Sequence, residues 1–377
     1  MEESITANTE KIPYAMAIGN WLPYSETFIY DQVKHAKKFK PYVLARGLNN
    51  ANASFPYDKV TSLSSVERML YYAALPSKKF AHVICENNCR FIHAHFGTNG
   101  ALVAPTAKKL DLPLIVTLHG IDVGVLMGKV PMNYWFYKRT YKQMLETASI
   151  LLPASNELAN CLVTLGANPD KIHVHRLGVD VNSFTPFNRP DRPAQFLMIG
   201  RQVEKKGFVY GIRAFAKIAD KFPGTTLTLI GTGPLGDFLK ELAVQTGFKD
   251  RIIFKGSIPS PQMPELLKNY DVLVAPCIVA SNNDRDSGLI VLKEAGATAM
   301  ASIGTYCGGL PEIIDNERTG FLVKQKEVDS LAGTMETLAS DYALRTQMGI
   351  AARKKMEAEY DTIKQNEALE KIFLEHI

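Results

Sequence analysis

Short apolar runs alternate with longer amphipathic segments along almost the whole chain, and this alternation limits the fold more than any other feature. Tyr14–Ile18, Tyr42–Ala45, Phe91–His95, Leu114–Leu118 and Ile150–Pro153 read as buried strands. A second series runs through Phe196–Ile199, Leu227–Ile230, Ile252–Phe254, Val272–Ala275 and Ala301–Ile303. Between the first two of these, Val209, Ile212, Phe215, Ala216 and Ala219 fall at the spacing of one helix face. Strand alternating with helix predicts parallel sheets joined by right-handed crossovers. The two series are separated by residues 185–193, which hold Pro186, Pro190 and Pro193 among charged residues and read as an interdomain linker. A chain of 377 residues suits two domains at about 150 residues each. The expected architecture is therefore α/β, two doubly wound parallel-sheet domains over 1–187 and 188–359, with a last segment at 360–377.

Composition removes several classes of function. Apolar residues make up 46% and charged residues 21%, which excludes a disordered chain, a collagen and a coiled coil. The apolar runs fall short of the roughly 20 residues of a membrane-spanning helix. Met1-Glu2-Glu3-Ser4-Ile5 opens acidic without an apolar core, so no secretory signal is expected. Cys85, Cys89, Cys161, Cys277 and Cys307 cannot all pair and form no CxxC framework, which predicts reduced thiols in a cytoplasmic protein. The net charge, 43 − 38 = +5, suits an anionic small molecule or an anionic membrane surface. No RNP, zinc-finger or helix-turn-helix pattern is present, so nucleic acid is not an expected partner.

In open parallel sheets ligands bind outside the carboxyl ends of the strands, and the informative residues sit there. Gly200-Arg201-Gln202-Val203-Glu204-Lys205-Lys206-Gly207 joins a strand to a helix and carries a guanidinium and an ammonium five residues apart. Two cations beside a helix N-terminus suit a diphosphate, and a solvated basic loop is the other reading. Gly231-Thr232-Gly233-Pro234 permits a close backbone approach to a ligand, and is equally an ordinary turn. Asp286 and Glu294 flank the start of an apolar helix, where carboxylates accept hydrogen bonds from sugar or ribose hydroxyls; helix capping is the alternative. His119 ends the strand Leu114–Leu118 and is placed to touch a cleft ligand, although a lone His is more often structural. His93 and His95 share one side of a strand, but no third ligand follows at a suitable spacing, so no metal is expected.

In this order and spacing the features resemble the retaining glycosyltransferases of family 4, of the surface-polysaccharide or group 1 type. The likeness also rests on Ser25-Glu26-Thr27-Phe28-Ile29, His93-Ala94-His95-Phe96, Thr117–Asp122, Leu177–Phe184, Gly308–Ile313 and Thr319–Val323. It implies the GT-B fold, two Rossmann-like domains facing across a cleft: 1–187 for the acceptor, 188–359 for a nucleotide sugar, and 360–377 crossing back to the first. It also implies roles. Arg201 and Lys206 would hold the donor diphosphate, with Gly200 and Gly233 on the same side. Glu294 would bind the ribose, and Ser257 and Ile258 would approach the base. Asp286, Gly288 and Leu289 would line the donor sugar. His119 would contact that sugar near its reacting face. Ser25, Glu26, Thr27, His95 and Asp122 would lie on the acceptor side.

One departure stands out. The family usually has Glu at both ends of its paired-acid motif, followed by Gly, whereas here Asp286 is followed by Ser287-Gly288. Asp reaches about 1.5 Å less far.

The expected reaction moves a hexose-type sugar from a nucleotide diphosphate, UDP or GDP, to a hydroxyl of a glycan, glycolipid or small molecule. Retention is implied, and no metal or other cofactor is called for. A GT-B epimerase or phosphorylase, or a non-catalytic sugar-nucleotide binder, are the alternatives. A Rossmann dehydrogenase is disfavoured because no GxGxxG follows the first strand. Lys34–Lys40 is basic, and Asn133–Lys142 mixes aromatics with cations. Both would suit peripheral contact with an anionic membrane, or simply a solvated helix face over core aromatics.

Overall fold

The structure is a computed structural model that describes residues 10–21, 26–49, 55–128 and 132–377. The first half builds one sheet from β1 (Ile12–Trp21), β2 (Phe39–Leu48), β3 (Val60–Ser62), β4 (Ile92–His95), β5 (Leu114–Leu118) and β6 (Ile150–Pro153). Its order is β3-β2-β1-β4-β5-β6. The second half repeats the plan with β7 (Gln195–Ile199), β8 (Thr226–Ile230), β9 (Ile252–Lys255), β10 (Val272–Ala275), β11 (Ala301–Thr305) and β12 (Gly320–Val323), in the order β12-β11-β10-β7-β8-β9. Every strand pair is parallel. Both sheets thus reverse direction beside their first strand, between β1 and β4 and between β7 and β10, where a crevice opens at the carboxyl ends.

The strand sequences explain this arrangement. β4, β5, β6 and β10 are buried at every residue, as strands covered by helices on both faces must be. The helix Phe208–Ala219 buries Phe208, Ile212, Phe215 and Ala219 against the second sheet. Two strands lie outside the predicted series. β3 is a three-residue edge strand, and β12 is a four-residue edge strand opened by Gly320.

The proline-rich stretch is not a free tether. Arg189 within it is buried, and its guanidinium donates to the carbonyls of Leu267, Tyr270, Thr298 and Ala299. Those carbonyls lie at or just beyond the ends of the helices Met263–Leu267 and Ile290–Ala297, where they lack partners of their own. The arginine therefore fastens residues 185–193 to the second half.

The chain returns to the first half at its end. Val179 and Tyr360–Thr362 exchange backbone hydrogen bonds at 2.7 and 3.0 Å. The helix Thr362–Glu375 then sets Phe373 among Tyr14, Phe39, Phe91 and His93. Glu370 accepts from the backbone N–H groups of Lys37 and Lys38, and Glu367 pairs with the Lys37 ammonium. No helix among the described residues is long and apolar enough to cross a membrane, and the five cysteines are unpaired.

Because Phe373 closes an aromatic cluster of the first half from the far end of the chain, Phe373→Ala should destabilise the protein by about 3–5 kcal/mol. Urea unfolding followed by tryptophan fluorescence measures it, and a loss near zero would mean that this helix is not part of the folded core.

Candidate active site

The basic loop after β7 owes its shape to glycines. Gly200 has φ +151°, and a Cβ there would fall 3.0 Å from Lys206 Cε, so its absence lets the lysine stem cross the loop. Gly231 packs its bare Cα on the Gly200 carbonyl, and Gly233 packs on the Gln202 backbone. Gly233 thus serves to seat the loop after β8 against the loop after β7. Gly207, at φ +65°, opens the helix Phe208–Ala219. Arg201 is exposed and makes no side-chain hydrogen bond or ion pair among the described residues.

Lys206 does not stand free beside Arg201. Its ammonium pairs with Asp286 at 2.8 Å, and Lys205 bridges Asp284 at 3.0 Å and Asp286 at 3.5 Å. Cys277 donates its thiol to the same Asp286 carboxylate at 3.5 Å. Burial alone would raise the Asp286 carboxyl, but Lys206 and Lys205 pull it down to about 2. Burial works against the Lys206 ammonium, and Asp286 more than restores it, so its affinity for a proton is raised. The four charges cancel, and Arg201 supplies the surplus positive charge of this corner.

Asp286 and Glu294 do not converge on one point. Glu294 lines a cavity of about 420 Å³ with Thr27, Phe28, Asp31, Asp180, Ile290, Ser260 and Pro261. Burial, and then the charge of Asp31, push the Glu294 carboxyl up to about 7. An acid-rich wall of this kind accepts hydrogen bonds from hydroxyl groups and repels anions. Leu289 is buried and starts the helix Ile290–Ala297, while Gly288 lies beside Ala154 and Leu177. Ser257 is exposed, 3.3 Å from the Thr232 hydroxyl, and Ile258 packs on the core of the second half.

Across the cleft, His119 follows β5. A Cβ on the adjacent Gly120 would fall 2.9 Å from the Ser287 hydroxyl, which places the His119 loop against the Asp286 loop. His119 Nε2 and His95 Nδ1 share a proton at 3.2 Å, and Phe28 and Phe96 flank the His119 ring. Burial first, then His95 and His175, keep His119 neutral by lowering its proton affinity. Phe96 holds φ +67°, a strained backbone for an aromatic residue.

Two residues expected on the acceptor side are fully buried. Asp122 accepts with its carboxylate from the backbone N–H groups of Gly97, His119 and Gly120 and so shapes the His119 loop. His95 lies with its Nδ1 3.2 Å from His119 Nε2. Thr27 faces the Glu294 cavity, and Glu26 sits at the start of the same helix with burial raising its carboxyl to about 7. Ser25 lies outside the described residues. Among the described residues no group of three His, Cys, Asp or Glu side chains is arranged to hold a metal ion.

Both segments singled out for membrane contact are partly engaged by the fold, with Lys38, Lys40, Trp135, Lys138 and Arg139 left exposed. Lys37 is engaged by Glu367, and the Lys37 and Lys38 amides by Glu370. In the aromatic segment Tyr137 is fully buried, and Tyr134, Phe136 and Tyr141 pack on the core.

Several contacts that join the halves had no sequence signal beyond residue type. Glu312 accepts from the Asn156 backbone at 2.7 Å and its side-chain amide at 2.8 Å, capping the first-half helix Asn156–Thr164 from the second half. Arg285 pairs with Glu157 at 2.8 Å. The buried Lys293 ammonium donates to the Leu177 carbonyl at 2.8 Å, with burial drawing it down to about 7.

Comparison with known proteins agrees with this geometry. Residues 25–183 match Glycosyltransferase Family 4, and residues 182–355 match Glycosyl transferases group 1. The chain is 31% identical over 287 residues to the uncharacterized glycosyltransferase MJ1607 of Methanocaldococcus jannaschii, covering 71% of each. It is 26% identical to the amylovoran biosynthesis glycosyltransferase AmsK of Erwinia amylovora, covering 71% of this chain and 65% of AmsK. The chain thus spans just under two thirds of AmsK. The crystal structure of Anabaena HepE with UDP-glucose superposes with a TM-score of 0.78 at 17% identity, covering 96% of this chain and 99% of HepE. The fold is GT-B, and the chain belongs to the group 1, family 4 glycosyltransferases.

A carboxyl raised by folding keeps its proton in the native state between its unfolded value of 4.5 and about 7. Stability therefore falls as pH rises through that window. Glu294→Gln should remove this slope, so that the ligand-free variant melts progressively higher than the wild type from pH 5 to pH 8 and alike near pH 4. Parallel melting curves across the range would show that Glu294 is not held in this environment.

Proposed function

We propose that the protein transfers a hexose-type sugar from a nucleoside diphosphate, UDP or GDP, to a hydroxyl of a glycan, glycolipid or small molecule. The observation that carries this is a division of labour in one cleft. Arg201 and Lys206 sit beside the start of the helix Phe208–Ala219, and the acid-lined cavity at Glu294 opens nearby for hydroxyl groups. The His119 loop closes over the Asp286 loop between them. The UDP-glucose complex of HepE supports a donor of this type.

In glycosyl transfer negative charge builds on the departing diphosphate while the sugar becomes oxocarbenium-like. Arg201 and Lys206 meet that charge where it develops, and the helix N-terminus adds to the field. Lys206 keeps further N–H donors while bound to Asp286, so the carboxylate orients the ammonium toward its load. The two protein cations take the part that a metal would otherwise play. Contact between Gly120 and Ser287 narrows the cleft and excludes water from the donor.

Retention follows a front-face path in this reading. Asp122 is committed to three backbone amides and Asp286 to two lysines, so neither is free to serve as the nucleophile of a double displacement. Asp286, shorter than the family's usual Glu, gains its reach through Lys206 and touches the sugar side of the cleft only at its edge. The enzyme works in the cytoplasm, at the inner face of the membrane when its acceptor is a lipid.

Arg201→Ala and Lys206→Ala should each abolish the melting-temperature rise given by UDP or GDP, and Lys206→Ala should lower kcat by about 10²–10³-fold. A differential scanning fluorimetry screen of UDP, GDP, ADP and TDP, followed by turnover with the stabilising nucleotide's sugars, measures both. Wild-type nucleotide shifts in both variants would refute the assignment. An inverted anomer in the product NMR spectrum would remove the front-face path, and activity abolished by EDTA and restored by Mg²⁺ would remove the metal-free one.

A further inference from the structure

We propose that Arg46 and Arg68 form a second anion site, in the first half of the molecule, for an oxyanion carried by the acceptor: a carboxylate or a phosphate on the sugar that receives the transferred one. The proposal rests on the transfer reading above, in which the acceptor meets the first half, and it narrows that acceptor to a charged one.

Arg46 comes from β2 and Arg68 from the helix Ser65–Tyr72, and glycines make room for both. A Cβ on Gly19, near the end of β1, would fall 2.9 Å from Arg46 Nη2. One on Gly47, near the end of β2, would fall 3.4 Å from Arg68 Nη1. A side chain at either place would push a guanidinium aside, so this is the device by which Gly200 admits Lys206 in the second half. Tyr72, one turn beyond Arg68 on the same helix, accepts from Arg46 Nη1 at 2.5 Å and ties the two elements together. The site therefore lies at the carboxyl ends of the parallel strands, where ligands bind. Tyr134 relates it to the donor corner. Burial first, then Asp122 and Asp284, raise the Tyr134 phenol, while Arg46 and Arg201 both work against that rise. One residue thus feels both guanidiniums.

What these arginines lack points to a ligand. Among the described residues neither is paired with a carboxylate: Arg46 bonds the Tyr72 hydroxyl and Arg68 the Ser65 hydroxyl at 3.5 Å. Arg46 Nε is buried and has no hydrogen-bond partner among those residues. A guanidinium placed only to brace Tyr72 would use Nη1 and leave its other donors in water. Buried donors are almost always bonded, and one left bare beside a cleft marks a missing partner. The nearby acids do not supply it. Glu67 accepts from the Ser64 amide and lies 3.8 Å from Lys79. The Glu26 carboxyl is pushed up to about 7 by burial, against the charge of Arg46, so at pH 6 it is mostly neutral and cancels little. Two unpaired guanidinium forks fit a carboxylate or a phosphate, each of which accepts bidentately. A neutral sugar would leave both charges and the buried donor unmet.

The test uses the full chain, saturated with the nucleotide that stabilises it so that the donor corner is filled. Isothermal titration with glucuronic acid, glucose 6-phosphate and glucose, at matched ionic strength, measures the site. At least one anionic sugar should bind at least about tenfold more tightly than glucose, and which one does so tells carboxylate from phosphate. Arg46→Met and Arg68→Met should each lose that advantage, and Arg46→Lys should keep only part of it, as a charge without the fork. The nucleotide-induced melting shift checks that each variant is folded. No binding of either anionic sugar, equal binding of all three, or a preference untouched in both Met variants overturns the proposal. So does a preference that disappears in nucleotide-free Arg201→Ala, which would put the anion in the donor corner. Absence of any nucleotide shift in the wild type would sink sugar transfer alone, and the same titration without nucleotide would still decide the anion site.

Discussion

Everything in the cleft depends on how a cluster of opposite charges is held at the carboxyl end of the second sheet. Lys205, Lys206, Asp284 and Asp286 are mostly withdrawn from water, and each is tolerable there only because the others are present. Removing one would leave an uncompensated charge in a poorly solvated place. The cluster also fixes positions. Gly200 lets the Lys206 stem pass, and Gly308 and Gly309 let the Asp286–Ser287 backbone lie flat against the next loop. Glycines from two separate loops are therefore the geometric condition for one ion pair.

The fold was largely legible because its strands are buried on both faces and read as continuous apolar runs. What escaped were β3 and β12, two strands of three and four residues at the sheet edges, too short to stand out as apolar runs. The proline-rich stretch misled for a related reason. Its composition is that of a linker, but Arg189 spends its charge on carbonyls at helix ends that lie some 80 to 110 residues away in sequence.

For the site, residue types singled out loops at the carboxyl ends of the strands, and the structure pairs Lys206 with Asp286, sets the His119 loop against the Asp286 loop and places Glu294 in a cavity of its own. Residue type did not reveal which of these side chains were already engaged. Asp122 and Lys206 look alike in sequence, as charged residues near a glycine. One is consumed by three backbone amides and the other by a carboxylate from 80 residues further on. Asp31 and Phe28 line the Glu294 cavity from the opposite half, and only the packing of the halves could show it. Val66, Met69 and Leu70 keep the spacing of one helix face yet are exposed, because periodicity carries no sign of which way a stripe faces.

The cap that Glu312 places on the helix Asn156–Thr164 ties the secondary structure of one half to the position of the other. A helix normally carries its own terminator; here Ser155 does part of that task and the other half of the molecule does the rest. Any separation of the halves would therefore bare amide groups at the beginning of that helix and fray its first turn.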